Sequence, residues 1–85
     1  MSFVATMPRY YFDASDSETY TEDHNGQELD GIAAVRAEAL RALSDIAQDR
    51  IPKGNRETLA VSVRDEAARV VLRAALDLSV EPSVI

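Results

Sequence analysis

"ETLAVSVRDEAARVVLRAALDLSV", Glu57–Val80, decides the fold. In its first half Leu59, Val61 and Val63 alternate with Thr58, Ala60, Ser62 and Arg64. In its second half Val70, Leu72, Ala74, Leu76, Leu78 and Val80 alternate with Val71, Arg73, Ala75, Asp77 and Ser79. A period of two marks a strand with one face buried. Only "EAAR" separates the halves, so they close as an antiparallel hairpin. Setting Asp65 opposite Val70 puts Val63 opposite Leu72, Val61 opposite Ala74 and Leu59 opposite Leu76, with Ser62–Arg73 and Thr58–Asp77 on the wet face. A slip of one residue would turn every hydrophobe outward, so the pattern fixes the register. The second strand is the longer. Its end around Leu78 and Val80 is expected to overhang, free to pair with the first strand of the chain or with another subunit.

Upstream lies "DGIAAVRAEALRALSDIAQDRI", whose alanine content favours a helix. At 100° per residue Ile32, Val35, Ala39, Leu40, Leu43, Ile46 and Ala47 form one stripe, with Glu38, Arg41, Ser44, Asp45 and Gln48 opposite. Asp30 is placed to cap the N-terminus. Arg41 and Asp45 stand one turn apart and pair. Pro52 and Gly54 stop the helix near Arg50. About 20 residues make a rod of about 30 Å, enough to cross a small sheet. Arg36 falls inside the apolar stripe. It either carries its head to water along its stem, the favoured reading, or pairs with Asp30 or an anionic ligand.

The N-terminal third is different in kind. "MPRYYFDA" holds three successive aromatics, which suit a strand starting after Pro8. With Tyr10 and Phe12 facing the core, Tyr11 and Asp13 face outward. Asp13 to Gly31 then carries seven acids, no Lys or Arg, and the chain's one histidine, His24. Tyr20 supports a short strand around Glu18–Glu22, Asn25-Gly26 marks a turn, and Leu29 drops toward the core.

Composition bounds the chemistry. The chain has 85 residues, no cysteine and a net charge of −6. Residues 1–31 hold seven acids against Arg9, while residues 32–85 balance eight acids with eight bases. An acidic surface disfavours phosphate backbones, so no nucleic-acid partner is expected. No apolar run approaches the roughly 20 residues of a membrane span, and the start lacks the basic and apolar segments of a secretory signal. A cytoplasmic protein is the expectation. A calcium loop with Gly26 sixth would place Thr21 first and Ile32 twelfth, and both positions need acids. One histidine cannot furnish a zinc site within a chain. Ser15, Ser17, Asp23 and His24 lack a nucleophile elbow around them, and no phosphate-binding loop is present. The acidic stretch therefore reads as a solvated loop and turn, with no cofactor, metal or catalytic residue expected and a weak, unspecific divalent-cation site as the minor alternative.

"MPRYYFD", the acidic "NGQELD", the "AAVRAEALRAL" helix and the hairpin "VSVRDEAARVVLRAALDLSV" together resemble a family of short bacterial proteins grouped as a domain of unknown function. The resemblance runs over nearly the whole chain after Met7 and favours Met7 as the family's start, with translation from Met1 or from Met7 both left open. It supplies an architecture and no activity. Two positions depart from the family pattern. Ala67-Ala68 stand where the family's hairpin turn often has glycine, and "DGIAAV" lacks the usual acid in the first helical turn.

The sequence thus predicts an α+β fold, a small antiparallel sheet of 3–4 strands with one helix on one face, in the order β-(β)-α-β-β. Residues 1–7 form a loose lead, 8–81 a single domain, and 82–85 a tail. The expected interaction surface is the sheet face away from the helix, with Tyr11, Arg64, Val71, Arg73, Ala75 and Asp77, and with Ala60 adding apolar area. The leading expectation is a non-enzymatic protein-interaction module, self-associating as a homodimer. The alternative is an antitoxin-like regulator that neutralises a basic protein partner. An enzyme built on the acidic loop ranks last.

Overall fold

A computed structural model describes residues 7–49 and 56–81. The expected lead, apart from Met7, and the tail at 82–85 lie outside these residues, as do Pro52 and Gly54. The elements run β1 (Arg9–Ser15), β2 (Tyr20–Thr21), β3 (Gln27–Glu28), α1 (Ile32–Asp49), β4 (Arg56–Arg64) and β5 (Val70–Ser79). The fold is α+β in the expected order, with one strand more, β3, than the sequence suggested. A two-residue strand leaves no periodicity to read.

The sheet is antiparallel throughout, in the order β2-β1-β4-β5, with β3 also on β1. The hairpin register is the expected one from Thr58–Asp77 to Val63–Leu72. Two details differ. Beyond Val63–Leu72 the pairing jumps to Arg64–Val70, so Val71 is an extra residue on β5. Such a bulge turns side chains off the regular alternation, and Val70, expected toward the core, stands 64% exposed. At the other end β4 reaches back to Arg56, so Leu78 and Ser79 pair with Glu57 and Arg56 and do not overhang. The first strand joins β4, which leaves β5 at the sheet's edge.

The hairpin turn explains the bulge's neighbourhood. Asp65 N–H donates to Arg69 O and Ala68 N–H to Asp65 O, enclosing a three-residue loop that ends with Ala68 at φ 64°. That left-handed position is where such loops favour glycine. Asp65 holds the turn by accepting from the N–H groups of Ala67 and Arg69. Glu66 reaches across to accept from Arg9 N–H at 2.8 Å, tying the turn to the start of β1.

Helix α1 lies mainly over β4 and β5. Val35, Ala39 and Leu43, spaced by four, meet Leu59, Val61 and Val63 in the fully buried core. Tyr10, Phe12, Leu29, Ile46 and Leu76 pack around it. The buried stripe is narrower than expected: Ile32 is 56% and Leu40 43% exposed. Ile32 opens the first turn, and Leu40 lies on the helix flank. Arg36 is exposed. Asp30 is not the cap. The first intrahelical bond runs from Val35 N–H to the carbonyl of Gly31, whose φ of 96° turns the chain into the helix. The Arg41–Asp45 pair forms at 2.9 Å, and Arg41 also pairs with Glu38, which accepts from Gln27 of β3.

Candidate interaction surface

On the face away from the helix, β1 and β4 align Tyr11 with Arg64 and Asp13 with Ser62. Asp13 does not point into water. It is 2% exposed, because the acidic segment folds back over it. Arg64 grips its carboxylate with Nε at 2.6 Å and Nη2 at 3.1 Å. The same Nη2 donates to the carbonyl of Asp23 at 3.0 Å and lies 3.7 Å from Glu22. The guanidinium carbon stands 4.9 Å from the centre of the Tyr11 ring.

Asp23 closes the clasp from the other side. Strand β1 pairs with β3 at Arg9 and Tyr10 and with β2 at Ala14 and Ser15. Between these pairs the Asp23 carboxylate substitutes for a strand and accepts from Phe12 N–H at 3.0 Å. Its other oxygen accepts from the N–H groups of Asn25 and Gly26, and its own N–H donates to Asp13. Gly26 has φ 70°, and a Cβ there would sit 2.9 Å from Tyr10 O. The turn therefore needs glycine. Sequence reasoning assigned Asn25-Gly26 to a turn but read Asp13 and Asp23 as solvated. Arg64 is 51 positions from Asp13, and no local pattern links them.

The electrostatics follow from these contacts. The Arg64 hydrogen bond holds the Asp13 carboxyl below the usual carboxylate range against the opposing effect of burial. Burial also pushes Asp23 upward, but its three backbone N–H donors prevail and keep it low. Both are ionised near neutral pH and saturated with donors, which suits a fastening and not a general acid. Arg64 is likewise engaged through Nε and Nη2 by oxygen atoms of Asp13 and Asp23.

The remaining predicted surface residues occupy β5. Val71, Arg73, Ala75 and Asp77 are exposed. Asp77 accepts from the Thr58 hydroxyl at 2.6 Å. Among the described residues Arg73 has no hydrogen bond or ion pair through its side chain, and no strand pairs with the outer edge of β5. Ala60, aligned between Ser15 and Ala75 on the central strand, is 3% exposed and offers no area. The structure thus divides the expected surface: Tyr11 and Arg64 are bound into the clasp, and the β5 residues Val71, Arg73, Ala75 and Asp77 are exposed.

Elsewhere a shallow depression of about 160 Å³ is lined by Ala14, Ser15, Asp16, Thr19, Thr21 and Ile46. It is smaller than the roughly 300–1,000 Å³ of ligand pockets. Asp16 spends its carboxylate on Glu18 N–H and on Thr19. His24 is exposed, 3.9 Å from Glu22. Among the described residues no three His, Cys, Asp or Glu side chains gather around a point where a metal ion would sit, and no helix is long and apolar enough to cross a membrane.

Comparison with curated proteins and with solved structures finds no match. A family does match, and its span, residues 9–77, takes in the whole path from the first residue of β1 to Asp77 on β5: the chain belongs to the family described as Domain of unknown function (DUF6894).

Proposed function

We propose that this chain is a small non-enzymatic interaction module of the bacterial cytoplasm, and that it associates with itself through β5. The observation that carries the reading is the asymmetry of the sheet. One edge is closed by β2, β3 and the Asp23 carboxylate. The other edge is a ten-residue strand with no partner among the described residues. An open edge offers a row of free N–H and C=O groups, which a second chain can pair. A chain of this size buries only roughly 60% of its unfolded surface, so association adds stability that the single chain lacks. The small size of the depression and the donor-saturated carboxylates support a binding role over catalysis.

A second reading has its own observation. Glu22, 3.7 Å from Arg64 of the clasp, Glu28, paired with Arg9, and Asp30, further along the same segment, are exposed and account for part of the net charge of −6. That acidic rim suits a basic protein partner, as in an antitoxin-like regulator. Light scattering behind a sizing column separates the two. Self-association requires a mass above 9.3 kDa at tens of micromolar protein. A mass of 9.3 kDa throughout would remove it and leave the basic partner, to be sought by native isolation.

A further inference from the structure

We infer that two copies of this chain join by antiparallel pairing of β5 with β5 about a two-fold axis at Ala75, perpendicular to the sheet. This deepens the self-association reading and rests on it. The first argument is the order of residues along the exposed edge. About Ala75, Arg73 of one copy falls opposite Asp77 of the other, and the symmetry makes this pair twice. On the helix side Leu72 falls opposite Leu78, and Ala74 opposite Leu76. Every one of these residues is exposed or only half-buried in the single chain. Centring the axis one residue either way sets Arg73 opposite Ala75 or opposite Ser79. Moving it two residues sets Arg73 against Arg73 or Asp77 against Asp77. Opposite charges directly across strands are favourable and like charges are not, so only the Ala75 axis satisfies both charges together.

The second argument is the position of the helix. Strands in a sheet lie about 4.8 Å apart. Helix α1 sits over β4 and β5, so its axis lies about one strand spacing from a dyad placed just outside β5. The two helices would then be about 9.6 Å apart on the same face, within the 8–10 Å of packed helices. Leu40 lies on the matching side. Glu38 is tied to Gln27 on the β3 side, and Leu40 is about 200° further round the helix, toward β5. Leu40 is 43% exposed. Arg36 shares that flank and is long enough to keep its head in water. A single geometry therefore pairs the free edge, neutralises the free Arg73 and covers Leu40.

The test uses the full chain. Arg73→Asp and Asp77→Arg each turn two attractive pairs into two repulsive ones and should each weaken dimerisation about tenfold or more. An equimolar mixture of the two variants should restore it, because the mixed dimer has Asp opposite Arg at both places. The chain has no cysteine, which permits a second measurement. Ala75→Cys places two cysteines across the axis with their Cα atoms within the roughly 4.4–6.8 Å that a disulfide spans. Ser79→Cys places them about 26 Å apart along the strands. Rapid oxidation of the first to a covalent dimer, with none for the second, is the expected result. A wild type that self-associates while Ala75→Cys links no faster than Ser79→Cys overturns this register and leaves self-association standing. So does an oligomeric wild type whose two charge variants fail to complement each other while circular dichroism shows both folded. A wild type that stays at 9.3 kDa overturns both.

Discussion

Replacing Arg64 by Met keeps the aliphatic stem over Tyr11 and removes the charge. Asp13 then loses its bonds to Nε and Nη2, and the Asp23 carbonyl loses its donor. The Asp13 side chain is 1% exposed, so its carboxylate would be left buried with only the Asp23 N–H and the Tyr20 hydroxyl as donors. Stranding one member of a buried pair costs about 3–5 kcal/mol. The Arg64 side chain is 21% exposed, so water would reach part of the vacated site, and about 3 kcal/mol is the expected loss near neutral pH. For a small domain with a total stability of about 5–15 kcal/mol this is a large share, readable by urea denaturation.

The loss should also depend on pH. In the wild type the folded Asp13 pKa lies below the unfolded value of about 3.9. Its contribution is present above the unfolded value and is lost as pH falls through the folded one. Without Arg64 the largest influence left on Asp13 is burial, which raises its pKa. The Asp13 pKa of the variant therefore lies above that of the wild type, and the variant loses less stability as Asp13 is protonated. The difference between the two should shrink steadily from about pH 7 to about pH 3. A neutral-pH difference below about 1 kcal/mol, the worth of a surface pair, would refute the clasp, and so would a difference that does not change with pH.

Leu43→Ala should cost about 2–5 kcal/mol in the same assay, while Leu40→Ala, at the exposed flank, should cost less than about 1 kcal/mol in the isolated chain; equal costs would mean that the helix face is wrongly placed. Ala68→Gly should raise stability by about 0.5–1 kcal/mol, since relief of the left-handed backbone outweighs the added freedom of glycine in the unfolded chain, and a lower melting temperature would contradict the turn geometry. Gly26→Ala should destabilise by about 1–3 kcal/mol through its positive φ and the approach to Tyr10 O; a neutral result would show that the turn does not press against β1.

The sequence alone determined whatever repeats over a short distance. Leu59, Val61, Val63 and their partners Leu76, Ala74 and Leu72 lie two residues apart in strands joined by a short turn, so alternation fixed both the pairing and the face. The helix was legible for the same reason, as Val35, Ala39 and Leu43 recur every turn. Tertiary structure decided what depends on distant or single residues. Asp13 carries the same charge in a wet loop as in a buried clasp, and only the alignment of β1 with β4 brings Arg64 to it. The width of the helix stripe was set by how far the sheet extends beneath it: it ends at β5, which leaves Leu40 uncovered. Val71 became a bulge because the three-residue turn with Ala68 shifts the last pairs by one, a constraint of backbone closure that side-chain alternation does not carry.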